Sequence, residues 1–182
     1  MAKADLTAAQ LRDLLDYAPT TGHFTWRHRP VAMFDGDRRR AGVWNARYAG
    51  KTAGGGSKVG YWTITVVGHA HWAHRLAILY VTGEWPAYEV DHVNGVKLDN
   101  RWDNLRAVDR TVNAQNIRQP LRSKKCGLPL GVHFKGAELR RPFYASIRLN
   151  GRGKHLGYFE TPDQAHAAYL AAKRAAHQGC SI

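Results

Sequence analysis

The 182-residue chain suits one or two small domains, and its 44% apolar content allows packed cores of modest size. Twenty-seven Lys and Arg against fourteen Asp and Glu leave a formal charge of +13, a balance that points to a polyanionic partner, nucleic acid first. No run approaches the roughly 20 apolar residues of a membrane span, and the N-terminal MAKADLTAAQ lacks the apolar core of a signal peptide. Cys126 and Cys180 form no CxxC pair, which speaks against a disulfide framework and a thiolate zinc site; they read as reduced thiols of a cytoplasmic protein.

In chain order, Leu6-Thr7-Ala8-Ala9-Gln10-Leu11 reads as a helix start. Thr7 is the cap, Gln10 closes a capping box and Leu6 staples onto Leu11. The helix is expected to run on to Ala18-Pro19, where the residue before proline leaves the helical region. Residues 23–70 read as short strands and loops. Phe24–Trp26 is strand-like, Arg38-Arg39-Arg40 reads as a solvated loop and Gly54-Gly55-Gly56 as a flexible turn, lacking the ending of a phosphate loop. Tyr61–Val67 alternates as a half-buried strand, with Trp62, Ile64 and Val66 on one face. His69, His71 and His74 read as a polar hairpin edge entering a helix over 74–81, because no further ligands stand at metal-site spacing. That helix packs Leu76, Leu79 and Tyr80 inward and ends at Gly83 and Pro86.

A strand over 88–92, a long polar loop, a short strand over 105–108 and a helix from Asp109 follow. After the basic stretch 117–125 come three strands (131–135, 143–149 and 153–159). A helix opened by Thr161-Pro162-Asp163-Gln164 then packs Ala165, Ala168, Tyr169 and Ala172 inward. The fold class expected is α+β.

Residues 91–116 carry the chemistry. Asp91 and His92 adjoin at a strand end, so their side chains point to opposite faces. Phosphodiester hydrolysis needs an activated water, and a histidine supplies a base near working pH. It also needs charge neutralisation at phosphorus and at the leaving oxygen, which a divalent cation on hard oxygen ligands supplies. Asp91 and the amide of Asn113 are such ligands, magnesium first and manganese second. Asn104 is placed to tie the loop to backbone and so fix His92 indirectly.

These residues resemble the His-Asn-His (HNH) nuclease motif in its phage homing-endonuclease form, which has asparagine at the last position. The resemblance extends through LRDLLDYAPTTGHFTWRHRP, GYWTITV, AHRLAILYVTGEWP and VDHVNGVKLDNRWDNLR, over about residues 6–120. It implies a β-β-α metal fold with His92 as general base and Asn104 as the loop-stabilising residue. It also implies Asp91 and Asn113 as metal ligands; Asn116, three residues on, is the alternative to Asn113, which the spacing favours. The nuclease domain would occupy 1–118, its motif core 88–118.

Between residues 117 and 156 ten Lys and Arg face one acid, Glu138. Tyr144, Ser146 and Arg148 alternate outward along the second strand of the last unit, Phe143, Ala145, Ile147 and Leu149 inward. On the first strand His133 and Lys135 face out, Val132 and Phe134 in. Arg140, Arg141, Arg152 and Lys154 rim the same region and, with Lys124 and Lys125 of the linker, suit phosphates. The segment GVHFKGAELRRPFYASIRLNGRGKHLGYFETPDQAHAAYLAA resembles the ethylene-response (APETALA-type) DNA-binding domain. That likeness implies a sheet laid in the major groove by a domain over 128–179, after a basic linker at 119–127. The reading is a metal-dependent endonuclease of double-stranded DNA, monomer or homodimer. The alternative is a sequence-specific DNA-binding regulator with a vestigial nuclease motif.

Overall fold

The computed structural model describes residues 6–57, 59–109, 113, 127–149 and 151–177. The chain is mixed α/β, with four α-helices and several small antiparallel sheets among the described residues, in two compact units, Met1–Val108 and Asp109–Ile182. Among the described residues no helix is long and apolar enough to cross a membrane.

The first unit opens with α1 (Ala8–Leu14). Thr7 and Gln10 form the capping box, each side chain taking the other's backbone N–H. The helix ends four residues earlier than expected. Leu15–Ala18 is β1 instead, paired with β2 (His23–Trp26). Alternate burial of Leu15 and Tyr17 gives this segment a strand's period of two, which overrides the helical spacing of Leu11, Leu14 and Leu15. Arg38–Arg40 is likewise not a loop. It opens α2 (Arg38–Tyr48), capped by Asp37, whose side chain accepts the Arg40 N–H. Nor is the glycine run only a turn: Gly55–Gly56 is β3, an edge strand on β4 (Trp62–Val66). The missing side chain of Gly54 makes this possible, since a Cβ there would lie 2.2 Å from the Thr63 carbonyl oxygen.

Strand β5 (His69–Trp72) returns along β4 and leads into α3 (Ala73–Thr82), which Gly83 ends in the left-handed conformation. Leu11, Leu15, Phe24, Ile64, Val66, Leu76 and Leu79 form the core of the unit. Val90 and Leu105 join the same core and anchor an antiparallel ribbon, β6 (Glu89–His92) with β7 (Leu105–Val108). Arg75 of α3 donates to the carbonyls of Pro86 (3.1 Å) and Tyr88 (3.2 Å), which fixes the entry to β6.

The second unit holds a three-stranded sheet, β8 (Val132–Phe134), β9 (Phe143–Leu149) and β10 (Arg152–Phe159), with β9 central, and one helix on it, α4 (Pro162–Ala176). Thr161 caps α4 by accepting the Gln164 N–H. Gln164 takes the N–H of Glu160, one residue ahead of the cap, so the box is displaced by one position. Val132, Ala145, Ile147, Ala165 and Tyr169 form this core. Lys173, one turn beyond Tyr169, is also buried, its Nζ 5.9 Å from the centre of the Tyr169 ring. Phe134 does not face inward as expected. It is 53% exposed at the end of β8, its ring 5.4 Å from that of its cross-strand partner Phe143. The basic linker, with Lys124 and Lys125, and Asn116 lie outside the described residues.

Candidate active site

The β6–β7 ribbon holds Asp91 and His92 at its loop end, His92 opposite Leu105 and Asp91 opposite Arg106. All three chain positions from Val90 to His92 are buried. Directly opposed side chains share a face of an antiparallel pair, so Arg106 reaches Asp91 and donates to its Oδ2 from Nη2 (2.7 Å) and Nε (3.0 Å).

The loop joining the two strands is closed by Asn104. Its Oδ1 accepts the Asn94 N–H (2.9 Å), its Nδ2 donates to the Asp99 carbonyl (2.7 Å), and its own carbonyl accepts the Val93 N–H (2.9 Å). One buried asparagine thus bonds both limbs of the loop. Asn94 adds a bond from Nδ2 to Asp99 Oδ2 (2.7 Å), and Arg101 clasps the same carboxylate through Nε and Nη2. That clasp holds the Asp99 carboxyl at about 2, well below the usual carboxylate range.

Within this loop Asn100 meets the base. Its Oδ1 lies 3.1 Å from His92 Nε2, and its Nδ2 points to the Leu98 carbonyl (3.4 Å). With the amide oriented so, His92 Nε2 donates and the basic lone pair is on Nδ1. Burial lowers the His92 pKa, against the raising effects of Asn100, Asp91 and Asp99, so the ring is neutral at neutral pH.

A second imidazole packs beside the first. His74, two residues into α3, is 3% exposed with its ring 5.1 Å from that of His92, edge to face. Tyr61 covers both, at 5.0 Å from His74 and 6.1 Å from His92. The Nδ1 of His74 is buried and has no hydrogen-bond partner among the described residues. Burial, then the neighbouring His92 and Arg75, push its pKa down to about 3. Its ordinary value is near 6.5, so below that pH the unfolded chain takes up a proton that the folded chain refuses. Stability therefore falls as pH drops through this window, by about 2 kcal/mol between pH 6.5 and 5. His74→Leu is expected to flatten that slope in thermal melts, leaving the smaller contribution of His92; an equally steep slope would refute the burial argument.

The hairpin of β1 and β2 buttresses the loop from behind. Tyr17 Oη donates to the Asn100 carbonyl (2.7 Å), and the Trp102 N–H donates to the Pro19 carbonyl (2.9 Å). Burial first, then Asp103 and Asp99, raise the Tyr17 pKa to about 12, so it stays a donor. Gly22, at φ +75°, lies against the Asn100–Arg101 peptide, where a Cβ would come within 2.3 Å of the Asn100 carbonyl carbon. Gly22→Ala is expected to cost about 2–4 kcal/mol from strain and overpacking and to slow any reaction at His92 by about 10²-fold through the displaced Asn100. Melting and turnover of this variant check both parts; a normal rate would detach the hairpin from the site.

Asn113 donates its N–H to the Asp109 carbonyl (3.0 Å). It belongs to the second unit, Asp91, His92 and Asn104 to the first. Among the described residues no group of three or more His, Cys, Asp and Glu is arranged to hold a metal ion.

Residues 71–115 match the HNH endonuclease family. The matched span contains Asp91, His92, Asn104 and Asn113, and also His74, Asn100 and Arg106. An HNH endonuclease domain implies nuclease activity, and nucleases of this family generally use a divalent metal. No curated protein and no solved structure matches the chain.

In the second unit the outer face of the sheet carries His133 stacked on Tyr144 (4.7 Å, 14°), with Ser146 Oγ 3.0 Å from His133 Nε2. The strand register corrects the expected rim. His155 opposes Ser146 and Tyr158 opposes Tyr144, so both join this face, whereas Lys154 opposes Ile147 and Arg152 opposes Leu149, on the helix side. Lys135 Nζ donates to Tyr158 Oη (3.0 Å), Arg148 is exposed, and Arg140 pairs loosely with Glu160 (3.9 Å) before β9, where Arg141 is also exposed.

Proposed function

We propose that the chain is a metal-dependent DNA endonuclease of the phage homing type, in which His92 takes a proton from the attacking water. The observation that carries the reading is the pairing of a buried, neutral His92, held by Asn100, with Asp91 beside it, inside the segment that matches the HNH family. Asp91 would offer a hard carboxylate oxygen to magnesium or manganese, which would supply charge neutralisation at the phosphate and at the leaving 3′ oxygen. Asn113, in the other unit, offers an amide oxygen of the same hard class. The fit rests on this donor chemistry. Asn104 acts through the loop and Asn100 through the ring of His92.

The second unit binds duplex DNA by the outer face of its sheet, in the manner of APETALA-type domains. His133, Lys135, Tyr144, Ser146 and Arg148, with His155 and Tyr158, supply side chains to the groove, and Arg140 and Arg141 contact phosphate. One active site per chain nicks as a monomer or cuts both strands as a dimer. Supercoiled plasmid incubated with the protein in magnesium, manganese or chelator tests the proposal. Metal-dependent relaxation or linearisation is expected. Binding without cleavage in any metal would favour the DNA-binding regulator instead.

A further inference from the structure

Helix α2 has no part in the site described above. It carries four arginines in eleven residues, three of them in its first turn, with no acid in that turn. The positive end of the helix dipole disfavours cations there, so these side chains oppose the helix they open. Asp37 at the cap offsets part of that cost.

The exposed side of the helix is regular. Arg39, Val43 and Arg47 lie four apart and share a face, with Arg40 and Ala46 beside them. All five are exposed, Val43 at 64%. The opposite side is anchored: Ala41 is buried, Trp44 packs on Trp26 and Phe34, and the Arg29 guanidinium lies 3.9 Å from the Trp44 ring. Asn45 accepts the Arg29 N–H (2.9 Å) and donates to its carbonyl (2.8 Å). The arginine face is therefore held rigidly outward. Among the described residues no carboxylate forms an ion pair with Arg39, Arg40 or Arg47. Residues 27–51 hold seven Lys and Arg against two Asp.

We infer that α2 is a second DNA-binding element, laid across the major groove, with Arg39 and Arg40 on the phosphates of one strand and Arg47 on those of the other. Eight residues of helix separate Arg39 from Arg47, a rise of about 12 Å, which equals the width of the groove at about 12 Å. Between them Val43 and Ala46 are short and apolar, so the helix can approach base edges and meet thymine methyls. Charge selects the occupant: an unpaired arginine face suits duplex DNA, the substrate class of the proposed function on which this inference rests.

The test is fluorescence anisotropy of the full chain on a short duplex in chelator, over a salt series. The Arg39→Ala/Arg40→Ala/Arg47→Ala variant is expected to bind about 10- to 100-fold more weakly, with a log–log salt slope shallower by about 2 to 3. Val43→Glu keeps every arginine and alters a side chain 64% exposed on the helix surface; it is expected to weaken binding about tenfold by placing a carboxylate between the two rows of phosphates. Wild type is expected to protect guanine N7 from methylation in the major groove, and the triple variant to lose part of that footprint. An unchanged duplex slope overturns the inference, as does a loss confined to single-stranded DNA or full N7 methylation beneath the bound protein. A wild type that cuts nothing, with the slope still dependent on α2, refutes the nuclease reading alone; normal cutting with an unchanged slope refutes this inference alone.

Discussion

His92→Ala is expected to slow DNA cleavage by about 10² to 10⁴-fold, the range over which a positioned general base acts, and to leave affinity for DNA within about twofold, because the phosphate contacts proposed above lie elsewhere on the chain. The argument begins with burial. A histidine 4% exposed at a strand end is an expensive place for a charge, and its pKa is lowered accordingly. It is neutral where most exposed histidines begin to titrate, and Asn100 fixes its tautomer with the lone pair on Nδ1. The acid limb of the rate profile should therefore lie below the ordinary histidine value near 6.5. Restoring Asn100 contact without the lone pair distinguishes a base from a filler. His92→Gln can bond Asn100 but cannot take a proton at this pH, and it is expected to be as inactive as the alanine variant. Plasmid nicking rates at several pH values measure all of this. A variant that nicks at the wild-type rate removes His92 from the mechanism.

Legibility in the sequence followed the range of the interactions involved. Thr7 with Gln10, and Thr161 with Pro162, act within one turn, and both helix starts stand where the caps predict. The ribbon of β6 and β7 is equally plain, since a long polar loop separates two short segments that each carry a valine or leucine for the core. Helix α2 was not. Its arginines hide any apolar period, and what holds it is Trp44 against Trp26 and Asn45 against Arg29, contacts that cross a loop. The same holds at the site. Asp91 and His92 announce themselves as neighbours, whereas Tyr17 reaches Asn100 across 83 residues. The approach of Gly22 to the Asn100–Arg101 backbone leaves no sequence signal beyond a glycine in a turn. Nothing in the sequence separates Asn100 from Asn94; the orientation of its amide toward His92 does. His74 was read with His69 and His71 as an edge; the helical turn that starts at Ala73 carries it inward instead, against His92.

Asp91→Ala is expected to remove metal-dependent cleavage, by about 10³-fold or more if the cation is worth several kcal/mol to the transition state, and also to destabilise the fold. The two effects have different origins and can be separated. Asp91 is 7% exposed and its Oδ2 holds the Arg106 guanidinium through two bonds. Alanine leaves that cation on the ribbon without its carboxylate. Removing one member of a buried pair costs about 3–5 kcal/mol. Arg106 retains 27% side-chain exposure and can reach water, so the lower end of that range is expected. Removing both charges takes away the cation that Asp91 holds, and the Asp91→Ala/Arg106→Ala chain should recover much of the lost melting temperature. It should recover none of the cleavage, because the carboxylate oxygen is still missing. Arg106→Ala alone sets the remaining corner of the cycle. It frees Asp91 from a competing cation, so the half-saturating concentration of manganese for cleavage is expected to fall. The decisive result is the double variant. If it regains cleavage along with stability, Asp91 acts only as the partner of Arg106, and the oxygen ligand must be sought elsewhere on the chain.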